Sequence, residues 1–133
     1  MANRSKTNFE FVNDISGFRD PNSLVVRLDG RLRRKQDLLN TLASELKFPP
    51  YFGYNWDALE ECLGDLSWLG EQSGIVLIHK YMPLADERQR RTYIEILKHA
   101  QANQRLPLRV VFPRSAQSQI EKIDADASRQ SGR

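Results

Sequence analysis

The chain predicts an α/β fold, a small three-stranded, mainly parallel sheet packed with helices. Three short apolar runs rich in β-branched residues, at 24–28, 75–78 and 108–112, read as strands. Between them lie longer segments whose apolar residues recur at spacings of three and four, which is the stripe of a packed helix. The resulting order is strand, helix, helix, strand, helix, strand, the pattern of a parallel sheet with helical crossovers. With 133 residues, 40% of them hydrophobic and 28% charged, the chain has the size and composition of one globular domain.

The elements follow in order. The first eight residues are polar and are expected to be loose. Phe9-Glu-Phe-Val12 alternates briefly and is a candidate extra edge strand at the N-terminus. Leu24-Val-Val-Arg-Leu28 forms the first strand of the three, and Asp29-Gly30 ends it with turn chemistry. Leu38, Leu39, Leu42 and Leu46 make residues 34–47 an amphipathic helix, which Phe48-Pro-Pro50 stops. A second helix starts at the good N-cap Asn55, with Asp57 in its first turn and Trp56, Leu59, Leu63 and Leu66 on its buried side. Gly74-Ile-Val-Leu-Ile78 is continuous enough to be a strand covered on both faces. Residues 84–104 form a long helix, and Leu108-Arg-Val-Val-Phe112 is the last strand, ended by Pro113. The segment from Arg114 to Arg133 is rich in Ser, Gln, Asp and Arg and is expected to be a flexible tail or frayed helix.

Charge is distributed unevenly. Residues 1–44 carry eight Lys/Arg against five Asp/Glu, and residues 72–133 carry eleven against six. Residues 45–71 invert this, with six acids and one lysine, so a net charge of +3 conceals an anionic island. The one dense basic cluster is Arg31, Arg33, Arg34 and Lys35, which reads either as a solvated turn or as a phosphate-binding patch. The single Cys62 excludes an internal disulfide and falls on the Leu59/Leu63 side, where it acts as a small hydrophobe. The two histidines and the cysteine lack ligand spacing, so no metal and no cofactor is expected. No apolar run approaches membrane-spanning length and the start lacks an apolar leader, so no membrane partner and a cytoplasmic location are expected.

The island itself has a pattern. Asp57, Glu61 and Asp65 are spaced i, i+4 and i+8 and share one helix face, with Glu60 at its margin. Like charges at that spacing oppose one another by ~0.2–0.5 kcal/mol per pair. No lysine between Lys47 and Lys80 relieves them. Pro49, Pro50 and Gly53 constrain the preceding loop, which carries Tyr51, Phe52 and Tyr54. A rigid tyrosine-bearing loop beside an acidic helix is suited to a basic cleft on another protein. Catalysis is not expected: the carboxylates have no nucleophile, oxyanion site or metal set beside them.

The run Leu46-x-x-Pro-x-Tyr-Phe-Gly-x-Asn-x-Asp-Ala-Leu-x-Glu-Cys-Leu63 resembles the signature of the barstar family, small intracellular inhibitors of extracellular ribonucleases. The resemblance covers residues 24–112, leaving 1–23 as an N-terminal extension with a possible added strand and 113–133 as the tail. It implies a three-stranded parallel sheet and a 1:1 complex in which the loop and second helix enter a ribonuclease active site. By motif position it implies that Tyr51 stacks near a catalytic histidine. Gly53 and Asn55 supply polar and backbone contacts, Asp57 meets basic side chains and Glu61 takes the central anionic role. Glu61 stands where the family has the shorter aspartate, Glu60 where an aromatic is frequent, and His99 where a late-helix acid occurs. These changes bear on the partner rather than on the fold. The implied function is that of a non-enzymatic ribonuclease inhibitor, serving as an immunity protein of a bacterial cell. Its alternatives are a nucleic-acid-binding module on the basic surface and an interaction protein with a partner other than a ribonuclease.

Overall fold

The computed structural model describes residues 8–70, 72–103 and 105–131. The expectation of a loose N-terminal start therefore falls almost wholly outside the described residues. The elements are β1 (Glu10–Val12), β2 (Leu24–Leu28), α1 (Lys35–Glu45), α2 (Trp56–Asp65), β3 (Ile75–His79), α3 (Glu87–Asn103), β4 (Leu108–Pro113) and α4 (Gln117–Ser131). Single 3-10 turns at Ser67–Leu69 and Arg114–Ala116 follow α2 and β4.

The sheet has four strands in the order β1-β4-β3-β2, and every neighbouring pair is parallel. The candidate N-terminal strand is therefore real: Glu10 to Val12 pair with Val111 to Pro113 along the outer edge of β4. At the centre, β3 is buried at all five positions, as its unbroken apolar run requires. Its side chains alternate between two faces. Ile75 and Leu77 join Val26, Leu28, Val110 and Phe112 in the main core, beneath Leu38, Leu39 and Leu42 of α1, Leu59 and Leu63 of α2 and Ile94 and Leu97 of α3. Val76 and Ile78 face the other way with Val111 and meet Ile15 and Phe18 of the β1–β2 connection.

Two arginines hold that connection against the sheet. The Arg27 guanidinium donates to the backbone carbonyls of Ile15 and Phe18. Arg109 makes a two-pronged contact with Glu10, both distances 2.8 Å, and reaches Asp20 at 3.4 Å. Part of the basic excess of the chain is thus structural.

Of the two expectations for the C-terminal segment, a flexible tail or a frayed helix, the structure shows a helix. The segment is not a flexible tail: residues 114–131 form a 3-10 turn and α4, with Ala116, Ile120 and Ile123 buried in the main core. Their spacing of four and three is a helical stripe, and full burial of an isoleucine side chain contributes about 1.5–3 kcal/mol. Asp124 is buried as well and accepts from Lys98 of α3 at 2.6 Å. Arg90 and Arg91 of α3 add contacts to Gln119 at 2.8 Å and Asp126 at 3.5 Å. Polar residues dominate the composition of this segment, and two of its charged ones, Asp124 and Asp126, lie at the seam with α3.

Candidate partner-binding face

The loop before α2 is held by its aromatic residues. Phe52 is buried, with its ring 4.8 Å from that of Phe48 and 4.7 Å from that of Tyr54. Phe48 in turn meets Trp68 edge-on, and the Trp68 indole N–H donates to the Leu46 carbonyl at 2.9 Å. These contacts point Phe52 inward and leave its neighbours outside, with Tyr51 74% exposed and Tyr54 45% exposed. Tyr54 sits in left-handed backbone at φ 55°, where the chain reverses toward the helix.

Asn55 caps α2 as expected, its side-chain oxygen accepting from the Ala58 amide at 2.8 Å. Its amide nitrogen donates back to the Gly53 carbonyl at 3.4 Å. A Cβ on Gly53 would stand 3.2 Å from that nitrogen, so a side chain there would press on the cap by a few tenths of an ångström. Both polar ends of Asn55 are engaged within the chain, and Gly53 and Asn55 shape the loop that carries Tyr51.

From the capped start, Leu59, Cys62 and Leu63 turn inward and Leu66 ends the helix in left-handed conformation at φ 54°. Trp56 departs from the buried stripe expected of it. At the first helical position it is half-buried, between Tyr93 (ring centroids 6.4 Å apart) and the Lys35 ammonium 5.4 Å from its ring. Asp57, Glu60 and Glu61 are exposed and Asp65 is half-buried. Among the described residues, no cation pairs with Asp57, Glu61 or Asp65. Tyr51 comes alongside two of them: together with Glu61, Cys62 and Asp65 it lines a shallow depression of ≈ 280 Å³.

Glu60 is set apart from these three. Its carboxylate lies 3.1 Å from Nδ1 of the exposed His99, so it turns toward α3. Of the residues singled out in the sequence, Tyr51 meets Glu61 and Asp65, Asp57 shares their helix face, Gly53 and Asn55 form the cap, and Glu60 pairs with His99. The Cys62 thiol is pushed up from its ordinary pKa by burial and then by the charges of Glu61 and Asp65, which keeps it protonated and unreactive.

The residues that sequence reasoning missed lie in the core. His79, at the end of β3, is fully buried and stacks on Phe112 with ring centroids 4.0 Å apart. Its Nδ1 faces the Val111 carbonyl at 3.1 Å and its Nε2 faces the Tyr93 hydroxyl at 2.7 Å. A carbonyl only accepts, so Nδ1 carries the proton and Nε2 accepts from Tyr93. Burial lowers the His79 pKa to about 4. A neutral, fully satisfied histidine there serves packing rather than catalysis.

This order of strands and helices, with the aromatic loop seated against an acidic second helix, is matched over residues 23–113 by a family model described as Barstar (barnase inhibitor). The chain belongs to the Barstar family. No match was found among curated proteins. The Barstar match begins just before β2 and ends with the last residue of β4; β1 and α4 lie outside the matched residues and pack on the same core. Among the described residues no helix is long and apolar enough to cross a membrane.

Proposed function

We propose that this Barstar-family chain is an inhibitor that blocks the active site of a ribonuclease, or of a similarly basic protein, in a 1:1 complex. It acts in the cytoplasm as an immunity protein and is not an enzyme. The binding residues are Tyr51, Gly53, Asn55, Asp57, Glu60, Glu61, Asp65 and His99. One observation carries this reading: among the described residues three carboxylates on one rigid helix face have no paired cation, and an exposed tyrosine stands beside Glu61 and Asp65. Successive members are four residues apart, about 6 Å along the axis. They repel one another in the free protein, and a cationic cleft that cuts RNA relieves that repulsion while its own charges gain partners. Tyr51 provides the aromatic anchor, and the Glu60–His99 pair lies at the rim.

The remainder of the chain has the opposite sign, with a net charge of +3 overall. Attraction to a basic enzyme is therefore short-range, felt within about a Debye length of α2. The test is calorimetric titration into barnase and other basic ribonucleases at rising salt. A one-to-one complex that weakens with salt is expected. Failure to bind any of them would remove the ribonuclease from the proposal.

A further inference from the structure

The loops leaving β2 (residues 29–34) and β3 (residues 80–86) are zipped together by two backbone hydrogen bonds. Leu84 N–H donates to the Leu32 carbonyl at 2.9 Å, and Ala85 N–H donates to the Arg33 carbonyl at 2.8 Å. Leu32 and Leu84 both hold left-handed backbone, at φ 48° and 68°. Such conformations persist only where the surroundings over-determine them, and they cluster at ligand sites. The loops at the carboxyl ends of parallel strands are also where open α/β sheets usually bind ligands.

Between these loops runs a crevice of ≈ 230 Å³ lined by Arg31, Arg33, Tyr81, Met82, Leu84 and Ala85. The Arg31 guanidinium lies over the Tyr81 ring, 4.2 Å from its centroid, and the Lys80 ammonium is 5.6 Å from the same ring. Arg31, Arg33 and Lys80 are exposed, and none has a carboxylate within ion-pairing distance among the described residues. Of the nearby acids, Asp86 accepts from the Gln89 amide at 3.0 Å and Glu87 lies 3.9 Å from Arg91, whereas the exposed Asp29 lines an adjoining depression with Lys80. Arg34 and Lys35, adjacent in sequence, are used elsewhere, on Asp37 and Trp56.

We infer that this crevice binds single-stranded nucleic acid, with Arg31, Arg33 and Lys80 on its phosphates and a base stacked on the Arg31–Tyr81 pair. Guanidinium forks match phosphate oxygens, and a base stacks on an aromatic ring or a guanidinium plane alike. At ≈ 230 Å³ the crevice has room for about one unpaired base, not for the width of a duplex. It is distinct from the carboxylate face of α2, which repels RNA.

The test is fluorescence anisotropy of a short, labelled, mixed-sequence RNA at several salt concentrations. Wild-type protein is compared with Arg31→Ala/Arg33→Ala, with Arg33→Glu, and with Arg88→Ala/Lys122→Ala as an equal loss of charge elsewhere. The crevice variants are expected to bind about tenfold more weakly or worse, with the double variant lowering the salt slope by about 1.4, while the control pair changes little. Wild-type protein that binds no RNA at low salt would overturn the inference. Equal losses in crevice and control variants would do so too, as would a duplex bound as tightly as the single strand. Unchanged thermal midpoints show that these exposed changes act on binding.

Discussion

The Lys98 ammonium lies 2.6 Å from a carboxylate oxygen of Asp124, and this contact ties α4 to α3. Asp124 is buried whereas Lys98 keeps part of its surface in water. Lys98→Met leaves the carboxylate buried without its cation, and the expected loss is about 3–5 kcal/mol. Ile120→Ala in the same helix is expected to cost about 2–5 kcal/mol. Urea unfolding measures both. A C-terminal segment that contributed nothing to the core would leave the midpoints unchanged.

His79 makes stability depend on pH. Its pKa lies near 4 in the folded protein, against an ordinary 6.5, so between those values the unfolded chain binds a proton that the folded chain excludes. Stability is complete above about pH 6.5 and falls as the pH drops toward 4, by about 3 kcal/mol in total. Unfolding followed across this window should show that slope, and His79→Gln should remove most of it.

Asn55 and Gly53 act on the shape of the loop. Asn55→Ala removes the cap of α2 and is expected to cost about 1 kcal/mol. Gly53→Ala crowds the Asn55 amide and should shift Tyr51. Both changes should lower partner affinity by more than their effect on stability alone, as read by calorimetry beside a thermal melt.

The sheet was legible because its strands are short apolar runs and its helices keep an unbroken three-and-four repeat. The brief Phe9–Val12 alternation was enough to suggest β1, since Phe9 is buried and β1 pairs with β4. Helix α4 was obscured because, among the described residues, Ile120 and Ile123, with Ala116 of the preceding turn, are the apolar ones that mark the buried side. Asp124 reads as solvated until Lys98 is brought to it from 26 positions away. The same reason hid the Glu60–His99 pair, which joins residues 39 apart. By contrast, the face made by Asp57, Glu61 and Asp65 follows from helical spacing alone. Its alignment with Tyr51 required the loop to fold.

The Glu60–His99 pair is exposed, and the proposed complex puts it at the rim. His99→Ala should change stability by less than about 1 kcal/mol and the dissociation constant for a ribonuclease by no more than about fivefold. A loss of a hundredfold would place His99 at the centre of the interface.

Replacing Asp57 and Glu61 by Asn and Gln removes the charge of the face and keeps its shape. The decisive measurement is the activity of a fixed amount of barnase, or of another basic ribonuclease that the chain binds, titrated with wild-type protein and with Asp57→Asn/Glu61→Gln. One equivalent of wild-type protein should abolish activity. The variant, folded with an unchanged melting temperature, should need at least about a hundredfold more, corresponding to about 2.7 kcal/mol. That loss lies within the range for buried charge pairs of interfaces, a range drawn in part from the family's own enzyme–inhibitor complex. Equal inhibition by both proteins would contradict the assignment of the inhibitory surface to α2.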